Sequence, residues 1–228
     1  MRIHSMLPII QGEGVNSGVA MFLVRTVGCP LQCSFCDSQY SMTGGYDITI
    51  DDLIDRIQQQ RLKWVCLSGG EPLVWEKEIG ELFLNPKWEL THPTEVETSG
   101  YMPVPEWWTK VSTWVVDWKC PSSGEESKEI KQWIKKLRSR AYHSLNAIKF
   151  VVSDEKDLKF VAKHSPSGVI VIVSPAIKTI RQGNFGQLVI PPEQVEWNQR
   201  VWNFCLENSF RFSLQLHKLV WGSERIDV

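Results

Sequence analysis

Short runs of apolar, β-branched and aromatic residues recur along this chain, and between them the apolar positions change to helical spacing. "VAMFLVRTV" (19–27), "KWVCLS" (63–68), "TEVETS" (94–99), "TWVVDWK" (113–119), "AIKFVVS" (147–153), "VIVIVS" (169–174) and "FRFSLQLH" (210–217) read as strands. Ile50, Leu53, Ile54 and Ile57 repeat at the spacing of one helix face, as do Ile130, Trp133, Ile134 and Leu137. Strands separated by helices are the pattern of βαβ units and a mostly parallel sheet. The units are too few for the usual eight-fold barrel, so the pattern predicts an α/β fold: a partial, open TIM-like barrel of about six or seven mostly parallel strands with outer helices. No repeat, low-complexity segment or long linker interrupts it, and "PSSGEES" (121–127) reads as a loop opening a helix. One domain over residues 1–228 is expected.

Composition narrows the partner. With 43% hydrophobic residues the chain has enough apolar material for a sizeable core, and a formal net charge of -1 argues against nucleic acid or a membrane surface. A small molecule is the expected partner. The apolar run of "MRIHSMLPIIQGEG" is too short for a signal peptide, and no stretch approaches the roughly 18 apolar residues of a membrane helix, so a cytoplasmic location is expected. "KEIKQWIKKLRSR" (128–140) reads as the solvated face of a helix, and the 11 tryptophans as packing between helices and sheet.

In such folds the reacting groups gather at the carboxyl ends of the strands. "GCPLQCSFCDSQY" (28–40) follows the first strand of the series, "SGGEP" (68–72) the second, "ETSG" (97–100) ends the third and "DWKCP" (117–121) the fourth. One mouth could collect them all. Cys29, Cys33 and Cys36 have CxxxCxxC spacing, which wraps a loop around something larger than an ion, and thiolates are the soft ligands that iron-sulfur clusters require. Three ligands would leave one iron open. The competing reading is a zinc site completed by a distant histidine such as His92 or His217. Cys66, Cys120 and Cys205, isolated in apolar segments, read as buried core residues. "SGGEP" by itself is equally a tight turn before a helix.

Taken together, the cysteine loop and "SGGEP" resemble the radical S-adenosylmethionine (SAM) superfamily. "IIQGEGVNSGVAMFLVRTVGCPLQCSFCDSQY" and "RFSLQLHKLVWG" (211–222) further resemble the opening and closing segments of the 7-carboxy-7-deazaguanine synthase family, with "QGEG", "CDS" and "QLHK" the most specific parts. The resemblance implies that Cys29, Cys33 and Cys36 bind a 4Fe-4S cluster and that Phe35, Cys36 and Asp37 contact SAM. It places Gly70 by the methionyl amino group, Glu97 by the ribose or a neighbouring polar group, Asp117, Trp118 and Lys119 along the rest of SAM, and Ser174 and Pro175 by the adenosine. Ile10, Gln11 and Gly12, with Arg25 and Ser68, would hold the substrate, 6-carboxy-5,6,7,8-tetrahydropterin, an arginine fork suiting its carboxylate. Ser38 would bind magnesium, Mg2+. Family members often carry threonine at the positions of Ser38 and Ser68, and both substitutions keep the hydroxyl. "DWKCP" is a variant of the family's strand end.

The implied reaction is a radical ring contraction to 7-carboxy-7-deazaguanine with loss of ammonia and regeneration of SAM, for 7-deazapurine (queuosine) biosynthesis. A flavodoxin or ferredoxin as reductant and a homodimer follow by analogy. Arg25 has a plainer reading as half of a rim ion pair, and Gln11 as an ordinary turn residue. His217 and Lys218 read either as a strand-end cap or, for His217, as a proton-managing group. Two other classes remain: a radical SAM activase acting on a protein partner, which needs neither "QGEG" nor "QLHK", and a non-enzymatic zinc-stabilised interaction module.

Overall fold

The computed structural model describes residues 1–88, 92–139, 145–177, 181–182 and 188–222. Its elements run β1 (Arg2–Ile10), β2 (Ala20–Thr26), β3 (Tyr46–Asp47), α1 (Ile50–Gln58), β4 (Trp64–Gly69), α2 (Glu76–Leu84), β5 (Thr94–Thr98), β6 (Thr113–Asp117), α3 (Ile130–Ser139) and β7 (Ala147–Val152). They continue with α4 (Glu155–His164), β8 (Ile170–Pro175), β9 (Arg181–Gln182), β10 (Leu188–Val189), α5 (Pro192–Asn208), β11 (Arg211–Phe212) and α6 (Leu216–Trp221). Nine strands form one sheet in the order β11-β8-β7-β6-β5-β4-β2-β1-β3, while β9 and β10 pair separately. From β11 to β2 every pairing is parallel; β1 joins β2, and β3 joins β1, antiparallel. The sheet does not close, so the expected open α/β architecture is observed.

Successive side chains of a strand point to opposite faces, and here the two faces differ in character. One face carries Val24, Val65, Leu67, Val96, Trp114, Val116, Ile148, Phe150 and Val173, which form a single core with Leu53, Ile54 and Ile57 of α1, Trp133 and Leu137 of α3, and Leu158 and Val161 of α4. The expected helices are therefore present with the expected faces inward. Trp107 stacks on Trp114 in this layer with centroids 5.9 Å apart, and Trp133 meets Trp114 at a tilt with centroids 4.8 Å apart, which places these tryptophans in packing roles. The other face carries Arg25, Ser68, Glu97, Asp117 and Lys149 at the strand ends, and it is this face that lines the site.

Two sequence-based expectations need correction. "FRFSLQLH" is not one strand: β11 covers only Arg211 and Phe212, and Leu216 opens α6. Its alternation spans a two-residue edge pairing and the bend that follows. The N-terminal β1, with Pro8 inside it, was not among the expected strands; it lies next to β3 over Arg2 and Ile3 only, so Pro8 stands where β1 has a partner on one side. An edge tolerates the missing donor. Among the described residues no helix is long and apolar enough to cross a membrane. Arg140, the end of the basic run, lies outside the described residues.

Candidate active site

A cavity of about 250 Å³ opens at the carboxyl ends of the parallel strands. It is lined by Ile10, Gln11, Gly12, Arg25, Cys29, Cys33, Phe35, Cys36, Asp37, Ser38, Ser68, Gly70, Glu97, Asp117 and Lys119, which is to say nearly every residue the sequence assigned to a ligand. Trp118, Ser174 and Pro175 are the exceptions. The Trp118 ring is turned to the helix layer, stacked on Phe150 at 5.5 Å and edge-on to Phe160, so its side chain does not reach the cavity. Ser174 pairs in register with Val151, a cavity-lining residue of β7, and thus shares the inner face, but it does not line the cavity itself.

The loop after β2 carries the thiols. It is held from below by the 121–125 turn: Ser34 N donates to Ser123 O at 2.9 Å, Ser34 Oγ to Ser122 O at 2.7 Å, and Gln32 N to the Glu125 carboxylate at 2.6 Å. "PSSGEES" thus anchors the cysteine loop as well as leading into a helix. "SGGEP" supplies the other wall. A Cβ on Gly70 would sit 2.1 Å from Gly28 O and 3.2 Å from Cys29 Cβ, so only glycine lets this strand end approach the cysteine loop. Glu71, fully buried, accepts from Thr98 Oγ1 at 2.8 Å and Ser99 N at 2.7 Å, tying the turn to the "ETSG" strand end. The glycine pair is visible in the sequence; the acid's partners lie 27 and 28 residues away and carry no local signal.

All six cysteines are free. Burial pushes the Cys29 thiol up to about 11 and raises those of Cys33 and Cys36, as desolvation does to a group that must become charged. Among the described residues only Glu13, Asp37 and His217 place three such ligand atoms within 4.8 Å of one another, so at least one pair of the three sulfurs is farther apart than that. His92, one candidate fourth zinc ligand, bonds Lys63 O just before β4, at the opposite end of the strands. Cys66, Cys120 and Cys205 are buried as expected, with Cys66 Sγ facing the cavity floor 3.7 Å from Gln11 Nε2.

Charge is concentrated along the inner face. Arg25 Nη1 donates to Ser38 Oγ at 3.4 Å with its guanidinium 5.4 Å from the Tyr40 ring centre, and Ser38 Oγ donates to Asp37 Oδ1 at 3.2 Å. Ser68 Oγ donates to Glu97 Oε2 at 2.7 Å. Gln11 is more than a turn residue: its Nε2 donates to Glu95 and, at 3.4 Å, to Glu97, and its Oε1 accepts from Glu13 N at 3.2 Å. Lys149 forms a buried ion pair with Glu13, and Lys119 pairs with Asp117 at 2.7 Å. Burial works against each charge here, yet Lys149 holds the Glu13 carboxyl below its usual range, and Lys218 does the same for Asp37. Glu95, Glu13, Asn16, Lys149 and Gln215 were not anticipated.

Two buried oxygens on this face, Asp117 Oδ1 and Ser174 Oγ, have no hydrogen-bond partner among the described residues. An orphaned buried acceptor is costly, and both lie on the wall that the sequence resemblance assigns to SAM. With the three thiols, they make a set that fits the cluster and SAM.

The radical SAM superfamily model matches residues 23–117, from β2 to the end of β6. The 7-carboxy-7-deazaguanine synthase of Methanospirillum hungatei is 32% identical over 96% of this chain and 85% of its own length, and that of Koribacter versatilis is 30% identical over 98% of each. The crystal structure of QueE from Escherichia coli, 19% identical, superposes with a TM-score of 0.66 over 94% of this chain and 93% of that one, a likeness of fold.

Proposed function

Because the chain belongs to the 7-carboxy-7-deazaguanine synthase family of radical SAM enzymes, we propose that the strand-end cavity is where that activity resides, with the roles that follow. The enzyme is a lyase that converts 6-carboxy-5,6,7,8-tetrahydropterin to 7-carboxy-7-deazaguanine and ammonia. One observation carries the reading: the three thiols, Arg25, Ser38, Ser68 and Glu97, drawn from three separate stretches of sequence, converge on a single cavity.

Cys29, Cys33 and Cys36 would hold the 4Fe-4S cluster as thiolates, their protons released to solvent on loading. When bound, the cluster and SAM together supply one-electron cleavage to a carbon radical able to take a hydrogen atom from the substrate. The chain supplies position and dryness. Phe35, Cys36, Asp37, Gly70, Asp117 and Lys119 form the SAM wall, Asp117 Oδ1 gaining the partner it lacks, with Ser174 on the same sheet face behind them. Arg25, at the end of β2 and steadied by Tyr40, receives the substrate carboxylate through its planar fork. Ile10, Gln11 and Gly12, with Ser68, meet the pterin edge, while Glu97 takes the SAM ribose or a neighbouring polar group. The Ser38 hydroxyl, with Asp37 Oδ1 3.2 Å away, would hold Mg2+, which would supply charge stabilisation and a template for the substrate. The reductant is a small one-electron protein of the flavodoxin or ferredoxin class, and the working unit is a homodimer.

Two variants test the roles. Cys33→Ala is expected to bind less iron and sulfide and to give no turnover; full activity with an intact cluster would overturn the ligand assignment. Ser38→Ala is expected to keep cluster and SAM binding while its rate no longer responds to magnesium, measured by chelator titration. An unchanged magnesium response would remove Ser38 from the metal site.

A further inference from the structure

The open sheet has two edges, and side chains from both meet at its mouth. Gln215 and Lys218 follow β11, the strand at one edge, while Gly12, Glu13 and Asp37 lie on the loops beside β1 and β2 at the other. Gln215 Nε2 donates to Glu13 Oε1 at 3.0 Å and to Asp37 Oδ2 at 3.1 Å, spanning 202 and 178 residues of sequence. Its Oε1 accepts from Lys218 Nζ at 2.9 Å and from Ile177 N at 3.3 Å, so the amide is engaged at both ends. Lys218, only 6% exposed, also places Nζ 3.0 Å from Asp37 Oδ2.

The backbone joins the same contact. Leu216 N donates to Gly12 O at 3.1 Å, and a Cβ on Gly12 would sit 2.6 Å from His217 Nδ1, so glycine is what lets the start of α6 press on the substrate loop. Asp37 is consequently fixed at both oxygens: Oδ2 faces Gln215 and Lys218, and Oδ1 receives Ser38 Oγ from the cysteine loop. Glu13 is fixed likewise between Gln215 and Lys149. Glu13, Asp37 and His217 converge closely enough to suggest a cation, but two lysine ammonium groups already balance the two carboxylates. The arrangement is a charge-balanced clasp.

We propose that Gln215 and Lys218 are positioning residues that clasp Asp37 and Glu13 together across the open mouth, so that the SAM half and the substrate half of the cavity are set by one C-terminal element. The inference rests on the functional reading above, which assigns the two halves their ligands. Neither residue needs to touch a reacting atom. The clasp acts by holding the cysteine loop and the 10–13 loop in one register, and its loss should weaken both ligands together.

The test uses the reconstituted full-length enzyme, with iron and sulfide per chain, SAM binding by equilibrium dialysis, and kcat and KM for the pterin. Lys218→Met is expected to keep its iron and sulfide while SAM Kd and pterin KM both rise by about tenfold or more, kcat falling less. Lys218→Arg should return both to within about threefold of wild type. In an Asp37→Asn background, Lys218→Met should add less than about threefold, because its partner is already lost; neighbours that act through one contact are not additive. Unchanged affinities in Lys218→Met, loss of only one of the two ligands, or a full penalty in the Asp37→Asn background would overturn the clasp. Should Lys218→Met not fold, Gln215→Leu, which removes the bridge and keeps the lysine, is read by the same criteria. Wild-type turnover in the same run tests the functional reading separately.

Discussion

Glu95 lies at the bottom of the inner face, fully buried, with the Asn16 amide 2.7 Å away, the Gln11 amide closer still, and Glu97 two residues along on the same face. Burial and the Glu97 carboxylate push its pKa up to about 8, against the two amides, which favour the ionised form. A carboxyl raised above its unfolded value binds its proton more tightly in the folded state. The stability it contributes is present at pH below about 4.5 and is lost as pH rises through about 8. Glu95→Gln removes that dependence, and the Asn16 side chain can turn to offer its carbonyl. Relative to wild type, the variant should gain ~2–4 kcal/mol between pH 5 and pH 8.5, since each tenfold difference in proton affinity between the folded and unfolded chain is worth about 1.4 kcal/mol. Denaturant melts at the two pH values would check it; a constant difference between the proteins would contradict it. The cavity-lining residues Cys29, Cys33, Cys36 and Glu97 were legible because they stand in short motifs at strand ends. Glu95 and Asn16 were not, because the contact joins positions 79 apart and a glutamate in a strand otherwise reads as solvent-facing.

At the scale of elements, the site depends on how closely loops approach one another. Gly70→Ala would put a Cβ 2.1 Å from the Gly28 carbonyl, a backbone atom that cannot swing aside, so either the turn after β4 or the cysteine loop must move. The expected cost is about 1–3 kcal/mol, as for other overpacked positions. Iron incorporation should fall with it, because Cys29 follows Gly28 directly. A thermal melt of the apo chain and an iron assay after reconstitution measure the two effects; an unshifted melt with full iron would show that the approach is not needed. Helices α1 and α3 were legible because an apolar face repeats at helical spacing and buries against the sheet. The end of the chain was not: Phe212, Leu214 and Leu216 alternate like a strand, but only two residues find a partner in β8, and Leu216 turns into α6. The 121–125 turn was legible as a loop and silent about its load, since backbone carbonyls that receive Ser34 leave no mark on composition.

The molecule as a whole divides its labour between the two faces of one sheet. The helix-covered face is apolar and takes nearly all of the core, while the inner face spends five strands on charged or polar groups at their ends. Parallel strands bring those ends to one side, which is why the order of the motifs along the sequence was enough to anticipate a single mouth. Order alone did not show that Gln215 and Lys218 reach across the mouth, because no local pattern in "QLHK" names Asp37 as its partner. The enzyme converts the pterin itself and does not pass a radical to a protein. Anaerobic turnover tests it most directly: the chain reconstituted with iron and sulfide is given reductant, SAM, magnesium and 6-carboxy-5,6,7,8-tetrahydropterin, and products are followed by mass spectrometry. The expected outcome is 7-carboxy-7-deazaguanine in step with substrate loss, dependent on SAM and without its net consumption. SAM cleaved to 5'-deoxyadenosine with no deazaguanine formed would contradict it.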